Sequence, residues 1–263
     1  VRETGGVRVE AETARLADSV RDAVATVLPR VLEFEGFVMP RGVRLVAREV
    51  DEPWIDGRRY EDRIEIGVPR SASAQESAEG LHLLVAHELG HHLLDAAWRR
   101  LPALLEEGLV EFVAQRAAHE EAPMRRAILA LFLAADQSAT IPLPGLGAGE
   151  AETRVHWALA PGYRPLSPRD ALELSRVEFV ELPIDSRQVA TALGWRLVED
   201  RGLDELRVAV VDDVRVPHTP DEWWIALGRA PPPRALDLAE IRGLVGPAEG
   251  AALRRWRSAA DRR

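Results

Sequence analysis

The chain contains no cysteine. Disulfide frameworks, thiolate zinc sites, iron–sulfur clusters and cysteine nucleophiles are therefore excluded, while the redox compartment stays open. Lysine is also absent, so all 34 basic residues are arginine, set against 43 acidic residues and a formal net charge of −9. That balance argues against a surface that tracks phosphates, and no nucleic-acid partner is expected. The all-arginine usage fits a GC-rich genome. No apolar run reaches the ~18–20 residues of a membrane helix. The longest, residues 127–135, lies between Arg126 and Asp136, and no membrane span is expected. A G-x-S-x-G elbow and a phosphate-binding glycine loop are missing too. Gly145-Leu146-Gly147-Ala148-Gly149 has neither a preceding strand pattern nor a lysine and reads as a linker.

What is present is ordinary globular material: 263 residues, 46% apolar and 29% charged, enough for one large or two small domains. The first residue is Val1 rather than Met, which leaves a cytoplasmic location and export with a trimmed signal segment equally open. In residues 11–32, Leu16, Val20, Val24, Val27 and Leu28 recur at helical spacing, with Pro29 expected to bend or end the helix. Residues 42–48 and 63–68 alternate with period two, as half-buried strands do. Between them, residues 51–62 with Pro53 and Gly57 read as a long hairpin or a connecting loop.

From Ser71 the pattern turns helical: Ser73 and Glu76 suit a capping box, and Leu81, Leu84, Val85, Leu89 and Leu93 carry the period toward Trp98. Pro102 opens a second helix with Leu105, Leu109, Phe112 and Val113 as its apolar stripe, and a third helix is expected over residues 124–135. Further helices are expected near 168–175, 187–201, 203–211, 220–227, 236–244 and 247–261. Pro142, Pro144 and the glycines after them mark a boundary. The expected organisation is a lobe over 1–140, a linker over 141–150 and a mainly helical lobe over 151–263 that closes a cleft. The fold class is α+β and helix-rich, with a small sheet beside the helix that starts near Ser71.

That helix contains His87-Glu88-Leu89-Gly90-His91, an H-E-x-x-H motif. Two histidines at i and i+4 share a helical face and can reach one Zn²⁺ at about 2.0–2.1 Å, with Glu88 beside them facing the remaining metal position. Zinc lowers the pKa of bound water toward ~7, and Glu88 can take that proton as general base and pass it to a leaving amine. His92, turned about 100° from His91, reads as a packed or exposed neighbour. A hydrolytic zinc needs a third protein ligand and an open fourth position. Asp95 suits a supporting or solvated role. On the next helix, Glu107 and Glu111 share a face while Glu106 is turned about 100° away. Spacing leaves both Glu107 and Glu111 open as the ligand.

Together, His87-Glu88-Leu89-Gly90-His91 and Pro102-Ala103-Leu104-Leu105-Glu106-Glu107-Gly108-Leu109-Val110-Glu111-Phe112-Val113 resemble the gluzincin zinc metallopeptidases, the thermolysin and aminopeptidase-like peptidase MA clan. The resemblance covers residues 85–114. It implies that Glu107, directly before Gly108, is the third zinc ligand and that Glu111 supports a ligating histidine. It further implies a Zn²⁺ cofactor, a peptide or protein substrate and peptide-bond hydrolysis. Leu104 stands where the family often has Trp. Residues 188–207 and 253–256 are similar to the helices that follow the active site in small bacterial members. Those members place an oxyanion-stabilising Tyr in a position that falls near Arg187 here, which leaves Arg187, Tyr163, His156 and His218 as candidate donors. The alternative is a peptidase-like binding or structural module without activity. A metzincin pattern is excluded, because its required positions hold Leu94 and Ala97. Trp223 and Trp224 read as one core and one surface residue, and the arginines from 254 onward as a solvated helix end.

Overall fold

Thr4-Gly5-Gly6-Val7 turns the chain within its first residues. Both glycines have positive φ, 55° and 83°, as a two-residue hairpin turn with the right twist requires. The computed structural model describes residues 2–39, 42–51, 56–60, 62–70, 74–96, 98, 101–118, 172–182, 184–203 and 206. The Ser73 cap, the helix expected over 124–135, the linker over 141–150, His156, Tyr163, His218 and all helices expected beyond 206 lie outside them. The chain divides into two units, residues 1–99 with 110–121 and residues 100–109 with 122–263.

The first unit holds a mixed sheet of β1 (Arg2–Thr4), β2 (Val7–Ala11), β3 (Val43–Val50), β4 (Asp56–Arg59) and β5 (Ile64–Pro69). Its order is β1-β2-β3-β5-β4, with β2, β3 and β5 parallel and both edge strands antiparallel. This small sheet with its helices is compatible with the α+β class. Strands β3 and β5 coincide with the two alternating segments. β1 and β2 were not expected, and Ala11 closes β2 instead of opening a helix. Val7-Arg8-Val9 is too short an alternation to stand out. β4 forms within the segment read as a hairpin or loop and pairs with β5.

Val7, Val9, Val43, Leu45, Ala47, Ile64 and Ile66 make the buried face of the sheet, each at most 1% exposed. Helix α1 (Ala14–Val31) packs there, burying Leu16, Val20, Val24, Val27, Leu28 and Val31. Thr13 caps it, its Oγ1 accepting from the Leu16 amide at 3.2 Å. Pro29 does not stop the helix. It lies inside the helix two residues before its end at Val31, and the Leu32 amide still reaches the Leu28 carbonyl at 3.1 Å. On the other face of the sheet, Glu10 pairs with Arg8 and Arg44, and Glu65 with Arg63. The hydrogen bond from Arg44 holds the Glu10 carboxyl below its usual range, and that from Arg63 does the same for Glu65.

Helix α2 (Ala74–Leu93) packs against α1, β4 and β5. It ends at Leu93, short of Trp98, because the loop after α1 captures its terminus. The Val38 amide donates to the Leu93 carbonyl at 2.8 Å, the Asp95 amide donates to the Gly36 carbonyl at 2.7 Å, and Phe37 bridges Leu94. Gly36, at φ 90°, lies under the Trp98 indole, where any Cβ would strike the ring.

Helix α3 (Ala103–Ala117) starts just after Pro102, whose carbonyl accepts from the Leu105 and Glu106 amides at 2.9 and 3.0 Å. In the first unit its C-terminal end is tied to α1 by Arg30, which donates to the Ala117 carbonyl at 3.2 Å. Gly90 of α2 faces Val110 of α3 so closely that a Cβ there would come within 2.9 Å of Val110 Cγ1.

The second unit contains the start of α3, α4 (Arg176–Glu181) and α5 (Ile184–Arg201). Of the helix expected near 168–175, Leu172 and Glu173 are described and are helical; α4, which was not expected, follows, with Ser175 as its cap. The Glu178 amide donates to Ser175 Oγ at 3.3 Å and the Ser175 amide donates to Glu178 Oε2 at 2.8 Å. This reciprocal capping box defines a helix start at this serine. The same hydrogen bonds lower the Glu178 pKa. Helix α5 covers the expected 187–201 and begins three residues earlier. It crosses α3 backbone to backbone: a Cβ on Gly108 would run into the Gly194 carbonyl, and one on Gly194 into the Leu104 carbonyl oxygen. Arg176 pairs with Glu106, a residue 3% exposed. Among the described residues, no helix is long and apolar enough to cross a membrane.

Candidate metal centre

Four residues make slightly more than one helical turn, so His87 and His91 project from the same side of α2. Their Nε2 atoms stand 3.3 Å apart, with the two rings nearly perpendicular at 79°. Two nitrogens each about 2.0–2.1 Å from a tetrahedral ion are separated by roughly 3.3–3.4 Å. The pair already has the spacing of one tetrahedral edge.

Glu107 of α3 completes the group. One ligand atom from each of His87, His91 and Glu107 lies within 4.8 Å of the others. These three side chains can hold a metal ion. Neither known family models nor curated proteins give a match to this chain. The cluster is shielded without being sealed: His91 is 8% exposed, while His87 and Glu107 are half-buried. Its donor set, two imidazoles and one carboxylate, suits a borderline divalent ion better than Mg²⁺ or Ca²⁺, which prefer all-oxygen shells.

Glu111 does not belong to the ligand group. Its Oε2 lies 3.3 Å from His87 Nδ1, and its other oxygen accepts from Gln115 Nε2 at 2.9 Å. With Nδ1–H donating to Glu111, the lone pair of His87 falls on Nε2, the atom that faces His91. Glu111 and Gln115 are 2% and 3% exposed, so this relay is a buried one. Gln115 was not anticipated. Its signal was nonetheless present, since it follows Glu111 by four residues as Glu111 follows Glu107.

Glu88 is 7% exposed, and its side chain lies against the backbone of Gly57 in β4. Glu106 is directed to Arg176 instead of the cluster. His92 and Asp95 are outside the ligand group, and Asp95 sits where the chain leaves α2. Arg187 donates to the Val180 carbonyl at 3.5 Å. Gly90, the fourth residue of the H-E-x-x-H motif, has the structural duty of letting α3 approach.

Proposed function

We propose that this protein is a zinc-dependent peptidase of the gluzincin kind. The observation that carries the reading is the grouping of one ligand atom each from His87, His91 and Glu107 within 4.8 Å of one another, in a segment where Glu88 directly follows His87. Three protein ligands with an open position characterise hydrolytic zinc sites, whereas structural sites are closed by four.

His87, His91 and Glu107 would hold the zinc, which when bound would supply Lewis acidity toward a carbonyl and toward water near neutral pH. Glu88 accepts the proton from the attacking water and delivers it to the amine nitrogen as the carbon–nitrogen bond breaks. Glu111 keeps His87 in one tautomer throughout, and Gln115 keeps Glu111 in place. The substrate is a peptide or protein.

The test is hydrolysis of a broad peptide library by zinc-loaded protein and by Glu88→Gln. The variant is expected to keep its zinc and lose about 10²–10⁴-fold in rate, the usual contribution of a positioned base. A library left uncut by the unaltered protein, or cut equally by both, favours a noncatalytic binding module instead.

A further inference from the structure

Gly57 lies inside edge strand β4, opposite Ile66 of β5. A glycine in a strand interior weakens the strand and often marks a place where another group comes close. Its φ is not positive, so backbone freedom does not explain it. Space does. A Cβ at this position would stand 2.5 Å from Glu88 Oε1, 2.7 Å from Cγ and 2.8 Å from Cδ. Three atoms of one side chain, including the one nearest its root, would have to leave together. No rotation of the carboxylate alone relieves the overlap.

We propose that Gly57 is a positioning residue: the missing side chain in β4 is what gives the Glu88 carboxylate, one residue on from His87, its place against the strand. The assignment rests on the peptidase reading for its catalytic consequence and on packing alone for its structural one. Glu88 is buried between α2 and β4, so a methyl group on Gly57 either swings the carboxylate out of its site or lifts the strand. Both disturb a base whose efficiency depends on being within hydrogen-bond reach of the proton it removes. Displacement by about 1 Å can cost on the order of 10²-fold.

Gly57→Ala should retain its zinc, keep KM within about twofold and lose about 10–100-fold in kcat. Shortening the base should restore part of this loss, so Gly57→Ala/Glu88→Asp should exceed Gly57→Ala in kcat although Glu88→Asp alone is slower than the unaltered protein. A second arm needs no activity: unfolding temperatures of Gly57→Ala, Glu88→Ala and the double variant. Relief of the Gly57→Ala penalty by Glu88→Ala supports the proposal, as does a double variant that folds where Gly57→Ala does not. Additive penalties, a double variant that fails to fold, or an unchanged kcat in Gly57→Ala overturn it. If the unaltered protein cuts no peptide, the peptidase reading fails, and the unfolding cycle still decides whether Gly57 makes room for Glu88.

Discussion

Glu111 stands 3.3 Å from Nδ1 of His87, and the far ring nitrogen of that histidine faces His91. A carboxylate on one side of an imidazole raises its basicity and directs its lone pair to the other side. The consequence is graded. Glu111→Gln or Glu111→Ala should weaken zinc binding by about 10–100-fold while leaving a full complement at saturating metal, as measured by competition with a chelator. If Glu111→Ala abolishes binding and Glu107→Ala does not, the two glutamates have exchanged roles.

Gln115 anchors the other oxygen of Glu111 from a buried position. Replacing it with Leu leaves a buried carboxylate oxygen without this donor, at a cost of about 1–3 kcal/mol. Denaturant unfolding should register that loss. The accompanying fall in zinc affinity should be smaller than that of Glu111→Ala, since His87 keeps its partner.

The Gly108–Gly194 crossing has no room for a methyl group on either helix, because backbone atoms occupy the space. Gly194→Ala should destabilise the protein by about 1–3 kcal/mol or more, by forcing α3 and α5 apart. Gly202→Ala serves as a reference of another kind: it has open space but a positive φ of 78°, so its cost is backbone strain alone. Equal stability of Gly194→Ala and the unaltered protein would mean that the helices do not touch there.

Glu65 is hydrogen-bonded to Arg63, which holds its pKa below the ordinary value. A lowered folded-state pKa means stability that is present above the unfolded pKa of about 4.3 and lost as pH falls through the folded value. Glu65→Gln should therefore cost up to ~1 kcal/mol at neutral pH. The difference from the unaltered protein should shrink in acid below the unfolded pKa, and also in 1 M salt. A gap that widens on acidification would contradict the assignment.

The legible parts of the sequence were those in which one local pattern dictates one local structure. Alternation over residues 42–48 and 63–68 gave β3 and β5, and i, i+4 spacing placed His87 and His91 on one face. Val7-Arg8-Val9 is a central strand only because β3 lies beside it, and nothing in three residues announces that partner. Ser175 and Glu178 carried the capping signal of α4, but its six residues are too short for an apolar period to show. Glycines were the least legible residues. Gly57, Gly90 and Gly194 look alike in sequence, and each is explained by what approaches it: a carboxylate, a valine and a helix backbone.

Metal content tests the account most directly. Protein purified without chelator and dialysed against zinc should carry about one equivalent, and His87→Ala, His91→Ala and Glu107→Ala should each lose it while Glu88→Gln retains it. Full zinc in both His87→Ala and His91→Ala would place the metal elsewhere and contradict the site.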